Sequence, residues 1–161
     1  MKILKNDRDA KCLVFSYWPT MLELIQDSLK ENFIEYRYLK DNVQKNLIEF
    51  KSEECDVKVL LIPFNFGSSG LNLTEATHIL LVEPILNLSQ ELQAIGRIHR
   101  IGQTKKTYIH RFLIRDTIEE IVYKLFLSNS NYDRATTSTT SHDADRKALS
   151  ISDVRDLFIN L

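Results

Sequence analysis

Lys11–Glu23 reads KCLVFSYWPTMLE, and its periodicity changes in the middle. Lys11–Ser16 is a short apolar run, the mark of a strand buried on both faces. After Pro19, Leu22, Ile25 and Leu29 recur at helical spacing, and Thr20 with Glu23 three residues later has the form of a capping box. A buried strand feeding a helix is the first half of a βαβ unit. The same alternation continues outward. Glu35–Tyr38 is a second strand candidate, and Asp41 is placed to cap a helix carrying Val43, Leu47 and Phe50 on one face. Val57–Ile62 and Thr77–Val82 are strong apolar strands, closed by Pro63 and by Glu83-Pro84. Leu88–Ile98 has helical spacing, Thr107–Ile114 reads as a strand, and Thr117–Glu120 is a second capping box. Strands alternating with helices predict an α/β protein: a three-layer α/β/α lobe on a mainly parallel sheet.

The chain has 161 residues, 43% hydrophobic and 27% charged, with a formal net charge of −1. That balance suits one buried core and excludes binding to nucleic acid through a global field; any such binding needs a local patch. No apolar stretch is long enough to span a bilayer. The two cysteines, Cys12 and Cys55, stand apart with no CxxC or Cys/His grouping, so neither a disulfide framework nor a metal site is expected. Residues 1–127 read as the main lobe. Residues 128–148 read as a Ser/Thr-rich flexible linker. Residues 149–161 read as a short amphipathic helix, with Ile151, Val154, Phe158 and Leu161 as its stripe.

One local patch exists. Leu92–Arg115 holds six Lys/Arg and no Asp/Glu. If Leu88–Ile98 is helical at roughly 100° per residue, Gln93, Arg97 and Arg100 share a face away from Leu88, Leu92 and Ile95. Paired arginines suit phosphate oxygens, because the guanidinium fork binds them bidentately and keeps its charge. The plain alternative is a solvated basic face. All four glycines lie between Gly67 and Gly102. Gly67-Ser68-Ser69-Gly70 permits close approach of backbone to a ligand, or is an ordinary strand-to-helix loop. It is not a phosphate loop, since no Gly-Lys-Ser/Thr follows. In an open parallel sheet, ligands bind beyond the carboxyl ends of strands, where this loop and the helix of Arg97 are both expected. Tyr17-Trp18 could stack on a base or cover the sheet end.

Gln93–Lys105 (QAIGRIHRIGQTK) resembles motif VI of the SNF2 branch of helicase-like ATPases. Lys11–Trp18 (KCLVFSYW) resembles motif IV of that family, and Gly67–Pro84 (GSSGLNLTEATHILLVEP) its motif V with the following strand. The likeness runs over Lys11–Leu127 and is nearest to the branch that also carries a RING-type ubiquitin-ligase module. That branch likewise departs from an acidic residue at Gly96 and from a Trp-Asn-Pro-like element at Glu83–Asn87. The resemblance implies the second RecA-like lobe of a nuclear, double-stranded-DNA-dependent translocase or chromatin remodeller. ATP and Mg²⁺ would be held only together with a first, N-terminal lobe. By position, Arg97 and Arg100 would be the catalytic arginines. Gln93, Asn72 and Gly70 would border the nucleotide, and Gly67, Ser68 and Ser69 would face the DNA backbone. Implied partners are the first lobe, DNA or nucleosomes, and a ubiquitin-conjugating enzyme through a RING module; no membrane is implied. The competing reading is a non-catalytic lobe that docks a protein or DNA. For this chain alone no ATP hydrolysis is expected, because the phosphate cradle is missing from it.

The apolar stripe of 149–161 generates a first test. Phe158→Ala should cost roughly 1–3 kcal/mol if the ring docks, whereas deleting Ser128–Ser141 should cost little. Fast amide exchange throughout Ser150–Leu161 would show that the segment does not dock.

Overall fold

Five parallel strands form one sheet in the order β2-β3-β1-β4-β5. They are β1 (Cys12–Ser16), β2 (Tyr36–Tyr38), β3 (Val59–Pro63), β4 (His78–Leu81) and β5 (Tyr108–Arg111). The helices are α1 (Lys2–Asn6), α2 (Pro19–Glu31), α3 (Val43–Lys51), α4 (Leu88–Ile95) and α5 (Ile118–Asn129), with a short 3₁₀ turn at Phe64–Phe66. This computed structural model describes residues 2–7, 9–66, 71–85 and 87–129. The Gly67–Gly70 loop, the linker beyond Asn129 and the terminal amphipathic segment lie outside the described residues. Helix α5 runs through Asn129, two residues into the stretch read as linker.

The chain divides into two compact units, Met1–Glu83 with Gln93–Arg111, and Pro84–Leu92 with Phe112–Leu161. The first contains the whole sheet. β1 is its central strand, and all five of its residues are at most 2% exposed. In register it pairs Val14 with Leu61 on one side and Leu80 on the other. The pleat sends Cys12, Val14, Val59, Leu61 and Leu80 to one face, where Leu22 and Leu29 of α2 complete a cluster. Leu13, Phe15, Leu60, Ile62, Ile79 and Leu81 point to the other face and are also buried. Right-handed crossovers explain why both faces are covered. The chain passes outward from β1 to β2 and then back to β3, so α2 and α3 fall on opposite sides. Leu47 and Phe50 are the buried residues of α3. The Lys11 ammonium donates to the carbonyls of Phe50 and Ser52 (the latter at 2.9 Å), closing the carboxyl end of α3 with a cation.

Three helix boundaries differ from the sequence expectation. Thr20 does not cap α2. Pro19 occupies its first turn, where a missing N–H costs nothing, so Trp18 becomes the N-cap. Asp41 does not cap α3. Asn42 stands there in a left-handed conformation (φ 51°), and the Asn46 amide holds the turn by donating to Tyr38 and Asp41 carbonyls. Helix α4 stops at Ile95, not Ile98. The Arg97 carbonyl, beyond that end, accepts from Leu73 N–H at 2.9 Å. Tight i→i−3 bonds, Arg97 N–H to Ala94 and Ile98 N–H to Ile95, end the helix. The face expected to bury Leu88, Leu92 and Ile95 is altered too: Ala94 and Glu91 are buried, while Leu92 and Ile95 are half-exposed. In the second unit the capping box at α5 is present in modified form. Glu119 N–H donates to the Thr117 hydroxyl, but the Glu120 carboxylate accepts from Asp116 N–H, not from the cap residue.

α2 closes with a Schellman motif: Phe33 N–H donates to Lys30 and Ile34 N–H to Leu29. The left-handed position, usually glycine, is Phe33 (φ 54°), and its ring is 96% exposed. A glycine there should therefore relieve strain without losing packing. Phe33→Gly is expected to stabilise by about 0.5–1 kcal/mol. Phe50→Ala, which empties a fully buried site, should cost about 3–5 kcal/mol. Chemical denaturation of both variants checks the opposite signs.

Candidate functional site

The carboxyl end of β1 is a topological switch: chain leaving β1 passes to the β2 side, whereas β4 lies on the other. A carboxylate spans this point. The Ser16 hydroxyl donates to Glu83 Oε1, and Tyr17 N–H donates to Glu83 Oε2 at 3.3 Å. Ser16 Oγ in turn accepts Trp18 N–H at 3.0 Å, fixing the start of α2. Tyr17 stacks on Phe64 with ring centroids 4.3 Å apart, so it covers the end of β3. Trp18 is 63% exposed. Of this aromatic pair, then, Tyr17 is partly buried and Trp18 offers more of its ring to solvent. Glu83 was not singled out from sequence. Its signal was weak, an acidic residue ending an apolar strand and sixty-odd residues away from its partner.

The second cluster surrounds the arginines. Arg97 and Arg100 do not share a helix face with Gln93. Gln93 is exposed in the last turn of α4, and both arginines stand in the turns that follow it. Arg97 is only 8% exposed, whereas Arg100 is exposed. Burial first, and then the neighbouring Arg100 charge, lower the proton affinity of the Arg97 guanidinium. Between them, Ile98 is fully buried and anchors the turn. The Leu73–Arg97 backbone bond brings exposed Asn72 beside this turn. Thus Asn72 and Arg97 stand on adjoining segments; Gln93 lies one helical turn earlier. Gly70, Gly67, Ser68 and Ser69 lie outside the described residues.

The arginine turn is also not where a strand's carboxyl end would put it. The Gln103 side chain ties it to the segment that enters β4 at the amino end. Its Nε2 donates to the carbonyls of Thr74 (2.9 Å), Ala76 (3.1 Å) and Ile98 (3.3 Å), and its Oε1 accepts Lys105 N–H at 2.9 Å. Before it, Gly102 takes φ 102°, a conformation that side chains disfavour, and reverses the chain. Gln103 stands within the motif, but its position there assigns it no role. A lone glutamine after a glycine has no periodic signature.

Two histidines in the sheet take no part in these clusters. His78 is buried with Nδ1 at 2.9 Å from the Thr77 hydroxyl, and it stacks on His110. His110 Nε2 is buried without a hydrogen-bond partner. Among the described residues, no group of three or more His, Cys, Asp or Glu is placed to hold a metal ion, and no helix is long and apolar enough to cross a membrane.

The Glu83 contact generates a titration test. Burial, and secondly the Glu83 charge, raise the Tyr17 phenol above its ordinary value. Glu83→Gln removes the second cause and keeps the first. The Tyr17 midpoint, followed by ring carbon NMR, should fall part of the way toward an ordinary tyrosine; no movement would mean the carboxylate exerts no field there.

Comparison with known proteins bears on the family and the fold. Residues 1–102 match the helicase conserved C-terminal domain. Human E3 ubiquitin-protein ligase SHPRH is 44% identical over 159 residues, 98% of this chain and 9% of that protein. DNA repair protein rad8 of Schizosaccharomyces pombe is 34% identical over 161 residues, 98% of this chain and 14% of that protein. This chain therefore spans about a tenth of the length of the curated relatives it matches. The crystal structure of the C-terminal part of the Fun30 ATPase domain superposes with a TM-score of 0.73 at 24% identity, over 97% of this chain and 49% of that one. That likeness establishes the RecA-like α/β fold. With its sheet, its match over residues 1–102 and its SNF2-type relatives, the chain belongs to the helicase conserved C-terminal domain family.

Proposed function

We propose that this chain is the second lobe of an ATP-driven double-stranded-DNA translocase, within a longer nuclear protein that also carries ubiquitin-ligase activity. The observation that carries the reading is the arginine turn. Two guanidiniums stand three residues apart on one tight turn, and the buried one feels the charge of the other. Fixed, concentrated positive charge of this kind suits phosphate. The names of the relatives, an E3 ubiquitin-protein ligase and a DNA repair protein, support the wider setting.

In this proposal Arg97 and Arg100 meet the nucleotide phosphates, with Asn72, Gln93 and Gly70 bordering the nucleotide. Gly67, Ser68 and Ser69 meet the DNA backbone. The first lobe supplies the phosphate loop and the Mg²⁺ ligands. ATP supplies the phosphoryl group that is transferred to water when the lobes close. This chain contributes positive charge that is already oriented, so little reorganisation accompanies the growth of phosphate charge. Arg97, partly desolvated, interacts through a lower effective dielectric than an exposed arginine. A ubiquitin-conjugating enzyme would meet a RING module elsewhere in the longer chain.

The two arginines require different substitutions. Arg100 is exposed, so Arg100→Ala should leave the fold intact. Arg97 is buried, so Arg97→Lys is the milder probe: it keeps a cation and loses the fork. In a chain carrying both lobes, Arg100→Ala should slow ATP hydrolysis about 10³–10⁵-fold, and Arg97→Lys should also be severely impaired. An Arg100→Ala protein that melts normally and retains activity within about tenfold of the parent would overturn the assignment; a surface arginine is worth only about 0–1 kcal/mol.

A further inference from the structure

We infer that Gln103 is the positioning residue of the arginine turn: its side-chain amide locks Arg97 and Arg100 to the Asn72-bearing segment. This inference rests on the reading of the two arginines as nucleotide-facing groups, and it adds what holds them there.

The geometry is unusually complete for one side chain. Three carbonyl oxygens converge on the Gln103 –NH₂: two from the segment entering β4, Thr74 and Ala76, and one from inside the turn, Ile98. Two protons serve three acceptors, so the longest bond, 3.3 Å to Ile98, is shared. The amide oxygen faces an N–H donor, Lys105 N–H. With carbonyls on one side and an N–H on the other, only one orientation of the amide satisfies every partner. The backbone itself supplies one tie between these segments, Leu73 N–H to the Arg97 carbonyl. One hydrogen bond sets a distance but leaves a hinge; the Gln103 amide adds a second attachment from the far side of Arg100 and removes it.

The residue type follows from the charges. An arginine at 103 would offer more donors but would place a third cation beside Arg97 and Arg100, whose mutual repulsion already acts on Arg97. A glutamate would aim a carboxylate at three carbonyls. A methionine would fill the space and donate nothing, leaving those carbonyls short of a partner. Only a neutral amide of this length supplies two donors and one acceptor without charge. Gly102 completes the device, because its φ of 102° turns the chain so that the following side chain can point back.

The test has two independent arms. In this chain, Gln103→Met should leave the methyl signals of Leu13 and Leu61 at β1 and β3 in place. The Arg97 Nε–H signal should move toward that of a free arginine. Arg97 signals unchanged in a folded Gln103→Met protein would overturn the inference. Should that variant fail to fold, Gln103→Ala, which removes the amide and adds no charge, gives the same readout. The parent protein gives another: its Gln103 amide protons should exchange slowly with solvent, and rapid exchange would overturn the inference without any variant. In a chain carrying both lobes, Gln103→Met should lower kcat for ATP about 10–100-fold, with KM changed less than about threefold, and should cost less than about threefold more in an Arg100→Ala background. Losses that multiply in the double variant would mean Gln103 acts elsewhere, and would overturn it. If Arg97 moves in the first arm while Arg100→Ala itself costs nothing, the positioning role stands and the nucleotide reading fails.

Discussion

Burial of β1 on both faces is the constraint on which everything else depends. A strand with parallel neighbours on both sides has its backbone donors and acceptors paired laterally, so only apolar side chains can occupy its two faces. Cys12–Phe15 meets that demand, and Cys12 shows how dry the environment is: burial pushes its thiol up to about 12. Two helices on opposite sides follow from the outward and returning crossovers. The switch point beyond β1 then follows from strand order. The Ser16–Glu83 contact bridges it, joining the ends of β1 and β4 through a side chain where the backbone ladder has run out.

The arginine turn shows how the same fold treats chemistry and stability together. A helix continuing through Ile98 would have put Arg97 on a solvated face. Tight i→i−3 bonds end the helix before that, Arg97 is buried, and its carbonyl ties it to the segment of Asn72 by accepting from Leu73. Burial of a guanidinium is unfavourable by itself. In the same turn Ile98 is fully buried, and the Gln103 amide holds the turn to the segment entering β4. That the least favourable placement in the turn belongs to a residue of the most specific motif fits a site where local structure serves recognition more than stability.

Patterns that arise within a few residues were legible in the chain. The five strands, the parallel class and the helices between them came from runs and periods that neighbouring residues define. Motif likeness pointed to Arg97, Arg100 and Asn72, and the fold brings these onto adjoining segments. Boundaries were less legible where a tertiary contact competes with a local rule. Thr20 and Glu23 satisfy the form of a capping box, yet Pro19 starts the helix earlier. Asp41 is a good cap by type, yet Asn42 takes the position. Ile95 was placed among the core-facing residues, yet the helix ends there and leaves it half-exposed.

By itself the sequence determined the class of fold and the family, since these depend on which residues avoid water and on short-range spacing. Tertiary structure decided which arginine is buried, where α4 ends and what holds the turn. The hold on that turn comes from the Arg97 carbonyl accepting from Leu73, and from one amide reaching Thr74 and Ala76 across nearly thirty residues of chain. Contacts at that separation leave no period in the sequence. They exist only once the sheet has brought the two segments together.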